Sequence, residues 1–171
     1  MRKESLSIRI ANQGDWQRII DIYNQAVLEV GKTADTKPVS VKQRKAWLKL
    51  HEQKRYPIFI AESESEIVGW CSVSPHRPGR KALEITAEIS YYVDIHFRRK
   101  GIASTLISKT ISFAKQTGIE NLFAILLEIN FSSINILEKF GFEKWGYLPS
   151  VAKINEKYSG QLIYGKNLNK T

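Results

Sequence analysis

Residues 97–104 read FRRKGIAS: an aromatic ring, three consecutive cations, a glycine, and then Ile102, Ala103 and Ser104. The stretch directly follows 83-LEITAEISYYV-93, which is strand-like, and opens 101-GIASTLISKTISFAKQTG-118, whose apolar residues are spaced for a helix closed by Gly118. At a strand-to-helix junction, unpaired backbone N–H groups and the positive end of the helix dipole attract an anion. Gly101 and Ala103 would let a bulky diphosphate approach the main chain, and Arg98, Arg99 and Lys100 add charge around it. A nucleotide-triphosphate loop would need a lysine followed by Ser or Thr after a longer glycine-framed loop, and the three-glycine dinucleotide fingerprint is missing. By itself the junction is equally readable as a basic turn that caps a helix.

The elements on either side form an ordered series. LSIRIA alternates as a first strand, and Asp15 can cap a helix carrying Ile19, Tyr23, Ala26, Val27 and Val30 at helical spacing, with Gly31 as its stop. KTADTKP reads as a loop. Ser40 and Gln43 have capping-box spacing for a second helix running to about Arg55, before Pro57. PIFIAE and EIVGWCSV, separated by SESE, read as a hairpin, and the Pro/Gly-rich loop SPHRPGRKA leads to the run that ends at Val93. Beyond the 101–118 helix, NLFAILLE suits a central strand, SSINILEKFGF a short helix stopped by Gly141, and FEKWGYL and QLIYGKN two last strands. The expected order is β-αα-βββ-α-β-α-ββ, an α/β fold with a mixed, mostly antiparallel sheet covered by helices on both faces.

The chain has 171 residues, 43% of them hydrophobic, enough to bury the core of one domain, and no internal repeat or linker divides it. A single domain over 1–171 is expected, with its core at about 6–168. The opening MRKESLSIRI holds no apolar run of signal-peptide length, and no stretch approaches the ~18 apolar residues of a membrane span, so a cytoplasmic location is expected. Cys71, the only cysteine, lies in the apolar run IVGWCSV and reads as a buried, inert thiol. The net charge of +9 suits a polyanionic partner, whether nucleic acid, an acidic membrane surface or a phosphorylated cofactor. Much of the excess is scattered through KQRKAWLKLHEQKR and the tail GKNLNKT, which reads as solvated surface.

Arg98, Gly101 and Ala103 fit the Arg/Gln-x-x-Gly-x-Gly/Ala signature of the GCN5-related N-acetyltransferases, and the chain resembles that family in element order and in NFSSINILEKFGF. Within it, TADTKP and GWCSVSPHRPGRKALEITAEISYYV resemble the phosphinothricin and methionine sulfoximine acetyltransferase group. The resemblance implies acetyl-CoA as co-substrate. Tyr91, Tyr92 and Val93 would pair with the pantetheine arm and acetyl carbonyl. Arg98, Arg99, Lys100, Gly101, Ile102, Ala103 and Ser104 would hold the pyrophosphate, and Asn130 would contact the cofactor. A homodimer is implied as well. Without the family context, the aromatics read as core and Asn130 as a plain helix cap.

Acetyl transfer requires a neutral amine, whereas amines with pKa of roughly 8 to 10 are mostly protonated at pH 7. Glu88 is the candidate base: strand alternation puts it with Ser90 and Tyr92 on one face, Ala87, Ile89, Tyr91 and Val93 lying on the other. The resembling group has a glutamate base at this place, acting through water; the structural alternative is a Glu paired with a buried cation. Many family members carry a tyrosine, the acid for the departing thiolate, where this chain has Leu137, so no general acid is assigned. Arg77 and Arg80 are suited to grip a carboxylate, phosphinate or sulfone oxygen of a small amine substrate beside Glu88 and Ser90. His51, His76 and His96 have no metal-ligand spacing and read as surface or loop residues; no metal is expected. The competing readings are acetylation of a polyamine, aminoglycoside or protein amine, a non-catalytic acetyl-CoA sensor, and a basic nucleic-acid-binding module. Nucleic acid and membrane are not expected partners.

Overall fold

Strand β2 (Ile58–Ser63) sits inside the sheet because its first four side chains are all apolar: Ile58 and Ile60 are buried on one face, Phe59 and Ala61 on the other. It pairs antiparallel with β1 (Leu6–Ile10) and with β3 (Glu66–Pro75) in this computed structural model, which describes residues 6–52 and 54–169. Glu64 and Ser65, both at positive φ, make the two-residue turn between β2 and β3, matching their right-handed twist. β4 (Thr86–Val93), β5 (Asn121–Leu127), β6 (Glu143–Ile154) and β7 (Lys157–Asn167) complete a seven-stranded sheet in the order β1-β2-β3-β4-β5-β7-β6. All pairings are antiparallel except β4 with β5. The chain is thus a single α/β domain with the expected order of elements. The basic residues Arg2, Lys3 and Lys170 lie outside the described residues.

Helices α1 (Trp16–Val27) and α2 (Val41–Leu50) cover one face, where Ile19, Ile20, Ile22 and Leu48 meet Ile58, Ile60 and Trp70. The Trp70 indole N–H, buried there, donates to the Ile19 carbonyl at 3.0 Å. On the other face α3 (Ile102–Gln116) and α4 (Phe131–Lys139) pack Leu106, Ile107 and Leu137 against Phe59, Val73, Ile89 and Leu122. Each such side chain contributes roughly 1.5–3 kcal/mol by leaving water. Cys71 lies in this second layer, and burial pushes its thiol up to about 12, so it is not a nucleophile at neutral pH. Asp94, buried just past β4, accepts from Arg18 and Gln25 at 2.8 Å and from the His96 N–H at 2.9 Å, tying α1 to the end of the strand. Burial works against its charge and is outweighed by these bonds, so its carboxyl lies below the usual range.

Several local expectations are corrected. Asp15 does not cap α1: Asn12 caps a 3-10 turn at Gln13–Asp15, and the Asp15 carboxylate closes that capping box and pairs with Arg9. α1 ends at Val27 rather than at Gly31, whose φ of 82° serves the following turn. α2 stops at Leu50 rather than near Arg55, and its C-cap, His51, is buried rather than a surface or loop residue. The run LEITAEISYYV enters the sheet only at Thr86, because Lys81–Leu83 form a 3-10 turn. The last two strands are far longer than FEKWGYL and QLIYGKN. β6 is exposed along most of its length, so burial imposes no alternation to read, and Asn155 and Glu156 turn the chain at positive φ.

Gly69 lies where β3 meets the end of β4 and the start of α3. A Cβ there would come within 3.0 Å of the Tyr92 carbonyl oxygen and 3.1 Å of Ile102 Cγ2. Gly69→Val is expected to lose about 1–3 kcal/mol by overpacking, read as a lower urea midpoint; an unchanged midpoint would mean that this junction is not tightly packed.

Candidate active site

β4 and β5 are hydrogen-bonded over only three residue pairs, Thr86–Asn121, Ala87–Leu122 and Glu88–Phe123. Beyond them β4 stays with β3 as far as Val93, and β5 stays with β7 as far as Leu127. The two strands diverge, so the β5-facing backbone groups of the second half of β4 have no ladder partner. A cleft of about 510 Å³ fills the opening. Tyr91, Tyr92 and Val93 line it on the strand, Arg98, Arg99, Gly101, Ile102, Ala103 and Ser104 at the start of α3, and Asn130 at the start of α4.

Arg99 and Gly101 both take positive φ, 62° and 80°, which coils the loop so that successive N–H groups can converge. No side chain caps α3, and the first N–H groups of a helix have no partner within it. The loop therefore offers backbone donors to an anion. Arg98 is already committed: its guanidinium forks onto the Glu29 carboxylate, one arm at 2.8 Å, holding that carboxyl below its usual range. Lys100 is not part of the lining, and its ammonium lies 4.9 Å from the centre of the Phe97 ring. Lys32 also lines the cleft and donates to Ser132 Oγ at 2.7 Å. Asn130 is buried and its amide oxygen caps α4 through the Ser133 N–H, leaving the amide nitrogen as the group that can face a ligand.

A second cavity of about 170 Å³ lies on the α1–α2 face of the sheet, walled by Ile20, Tyr23, Arg44, Trp47, Trp70, Ser90 and Tyr92. Tyr92 lines both cavities and stands between them. Burial pushes its phenol up to about 12, so it is neutral at ordinary pH. Tyr23 donates to Asp35 at 2.5 Å, Asp35 also receives the Arg44 guanidinium, and Arg44 lies 5.8 Å from the centre of the Tyr23 ring. This network fixes Arg44 in the wall of the small cavity.

Glu88 shares the face of Ser90 and Tyr92, two residues along from the small cavity, and is half-buried. Among the described residues, no ion pair or hydrogen bond reaches its carboxylate, and burial raises its pKa above the usual value. Arg77 and Arg80 stand exposed on the β3–β4 connection and line neither cavity. Arg44, Trp47 and Trp70 carry no site signal in the sequence, and Tyr23 reads only as an apolar position of its helix, because their convergence depends on how α1 and α2 cross the sheet. Lys32, just after Gly31, carried a faint signal as a cation at a helix end. Leu137 is fully buried against the sheet, so no hydroxyl occupies that place in α4. Among the described residues, no group of three His, Cys, Asp or Glu side chains could hold a metal ion, and no helix is long and apolar enough to cross a membrane.

Residues 16–142 match the model of the acetyltransferase (GNAT) family. YwnH of Bacillus subtilis, provisionally named a phosphinothricin acetyltransferase, is 34% identical over 95% of this chain and 99% of its own length. The L-methionine sulfoximine/L-methionine sulfone acetyltransferase of Pseudomonas aeruginosa is 32% identical over 87% of each chain. Among solved structures, YncA of Salmonella typhimurium, determined with acetyl-CoA as its cofactor, superposes with a TM-score of 0.87 at 25% identity, covering 97% of this chain and 95% of that one.

The isolated carboxylate predicts a stability signature. Because the folded protein holds Glu88 above its unfolded value of about 4.3, the charged form costs stability above the folded value, and the cost disappears as the pH falls toward the unfolded one. Glu88→Gln is therefore expected to raise the urea midpoint at pH 8 and to match the parent near pH 4. A midpoint lowered at pH 8 would reveal a partner for the carboxylate.

Proposed function

This chain belongs to the acetyltransferase (GNAT) family, and on that premise we propose that it moves the acetyl group of acetyl-CoA to the amino group of a small amino acid or amino acid analogue, of the phosphinothricin, methionine sulfoximine or methionine sulfone type. The observation that carries the proposal is the pair of cavities meeting at Tyr92, with an unpartnered carboxylate on the face of the smaller one. The large cleft suits acetyl-CoA: backbone donors at Arg99–Ser104 for the diphosphate, and free strand edge at Tyr91–Val93 for the pantetheine arm. When bound there, acetyl-CoA supplies the thioester that the amine attacks.

The chain's own residues prepare the amine. Glu88 takes a proton from the ammonium, through a water, and frees the nitrogen lone pair for attack at the thioester carbonyl. Its raised proton affinity suits that task, since a carboxylate of ordinary pKa would be a weaker base. As the C–N bond would form and the C–S bond break, the nitrogen would shed its second proton to the departing thiolate, directly or through water, leaving the amide and neutral coenzyme A. With a pKa near 8.5 that thiolate departs without an assigned acid. Tyr92, Trp47 and Trp70 supply apolar walls, and Arg44 offers a cation to a carboxylate or phosphinate end of the acceptor. Arg77 and Arg80, on the exposed connection that leads into β4, remain the second candidates for that anchor.

A cavity of about 170 Å³ favours a small acceptor over an aminoglycoside or a folded protein, and an arginine in its wall disfavours a polyamine. A non-catalytic acetyl-CoA sensor would have no use for Glu88 as it stands. A cytoplasmic homodimer belongs to the same proposal. β6 is an edge strand of 12 residues with Trp145, Tyr147, Leu148 and Val151 exposed, and a long apolar edge is a template for another chain.

Binding and chemistry should separate. Gly101→Glu, which forces a side chain into a left-handed position beside the diphosphate, should weaken acetyl-CoA at least about tenfold by calorimetry in a folded variant. Glu88→Gln should keep that affinity while turnover falls about 10²-fold. Equal affinity in the first variant removes the cofactor assignment, and parental turnover in the second, with chemistry limiting, removes the base. For the acceptor, acetyl-CoA turnover is compared across phosphinothricin, methionine sulfoximine, methionine sulfone, free amino acids, spermidine and an aminoglycoside, in the parent and in Arg44→Met, Arg77→Ala and Arg80→Ala. Amino acid analogues should be preferred, with KM raised about tenfold or more by loss of the anchoring arginine; preference for spermidine, or indifference to all three substitutions, defeats the acceptor class.

A further inference from the structure

Lys32 is a half-buried cation that lines the large cleft from the connection between α1 and α2, and the reaction as described gives it no role. Its place is closely set by the backbone. Gly31, at a φ of 82°, lets the connection lie against the loop that follows β5, since a Cβ there would come within 2.7 Å of Ile129 Cδ1. The Lys32 main-chain N–H donates to the Glu29 carbonyl at 3.3 Å, so the cation stands one tight turn past the carboxylate that grips Arg98.

The Lys32 ammonium donates to Ser132 Oγ at 2.7 Å, and that hydroxyl donates in turn to Asn130 Oδ1 at 3.1 Å. An ammonium carries three protons and Ser132 takes one of them, so Lys32 keeps donors to spare without breaking this contact. A hydroxyl does not neutralise the charge either. Glu29 is held low first by the Arg98 fork, and Lys32 adds only a small further pull. The described lining of the cleft holds no acidic side chain, and Arg98 is neutralised by Glu29, which leaves Lys32 and Arg99 as its unbalanced charges.

We propose that Lys32 is a second anchor for the diphosphate of the cofactor, its ammonium steadied by Ser132 and giving its remaining protons to phosphate oxygens from a wall separate from the α3 loop. This role rests on acetyl-CoA being the ligand of the cleft. A diphosphate diester brings a negative charge on each phosphorus, whereas the loop's backbone N–H groups supply donors and a partial dipole charge only. A charge-assisted bond from Lys32 answers the remainder. The diphosphate is a better match than the 3′-phosphate at the adenosine end, because Lys32 is tied through Glu29 to Arg98, where the phosphate loop begins, and through Ser132 to Asn130. Ser132 also holds the long side chain before the ligand arrives, so less rotamer freedom is lost on binding.

The test compares the affinities of acetyl-CoA, of its 3′-dephospho form and of S-acetylpantetheine, which lacks the diphosphate, in the parent, Lys32→Met and Lys32→Arg. Calorimetry reads the first two ligands and an NMR shift titration the third. At roughly 0.1 M salt, Lys32→Met should weaken acetyl-CoA and the dephospho form alike, by about tenfold, and Lys32→Arg should recover most of the loss. The gap should narrow to about threefold or less near 1 M salt, where the screening length falls to about 3 Å. For S-acetylpantetheine, parent and Lys32→Met should bind equally. Parental affinity for acetyl-CoA in Lys32→Met overturns the anchor, as does a loss that S-acetylpantetheine shares, or a loss confined to the ligand with the 3′-phosphate. A parent that binds no acetyl-CoA removes the cofactor assignment itself and the anchor with it. Urea midpoints certify the fold; should Lys32→Met fail to fold, Lys32→Gln, which keeps a polar end for Ser132 without the charge, reads the same loss.

Discussion

The early parting of β4 from β5 is the constraint on which the rest of this structure depends. Parallel strands that stayed paired to their ends would leave no cleft, and the backbone of Tyr91–Val93 would be spent within the sheet. The parting is imposed from both sides. β3 holds β4 through seven residue pairs from Gly69–Val93 to Pro75–Ala87, while β7 draws β5 away through its own continuous ladder. At the far end of β4, Asp94 anchors the chain to α1 through Arg18 and Gln25, and Gly69 lets Tyr92 and Ile102 come close. A strand so held cannot swing back to close the gap.

Charge is distributed by the same logic. Arg9 bridges Asp15 and Glu62, Arg18 meets Asp94, Arg44 meets Asp35 and Arg98 meets Glu29, and the pairs made with Glu62, Asp94 and Glu29 join elements far apart in sequence. Half-exposed pairs of this kind add little stability individually, and their value is positional. Arg98 illustrates the point. The residue that begins the phosphate-loop signature holds the loop to the segment after α1 through Glu29, while the donors aimed at the cleft are chiefly backbone N–H groups. Such donors need no rotamer ordering on binding, and they are where the glycine and the left-handed Arg99 turn the chain.

Against that background, Glu88 is a half-buried carboxylate that no ion pair or hydrogen bond reaches among the described residues. Its strand face carries hydroxyls and aromatic rings rather than cations, and Arg44, the cation of the small cavity wall, is occupied by Asp35. The same partial burial that makes the carboxylate costly to the fold makes it useful to a reaction that must remove a proton near neutral pH. Stability and proposed activity draw on one side chain in opposite directions.

Sequence by itself determined the order of elements, the two-faced cover of the sheet, the glycine loop that opens α3 and the face on which Glu88 lies. These features are local: apolar period, glycine positions and strand alternation are written within a dozen consecutive residues. Its failures were local conflicts that packing resolved. Asp15 has the chemistry of a cap but a closer arginine, α2 ends early against a buried histidine, and β6 has no buried face to give it a period. Only the tertiary structure decided that Arg98 is committed to Glu29, that Arg77 and Arg80 stand apart from both cavities, and that Arg44, Trp47 and Tyr23 converge beside Tyr92. Those relations join residues tens of positions apart on different elements, and no single-chain pattern encodes the angle at which two helices cross a twisted sheet.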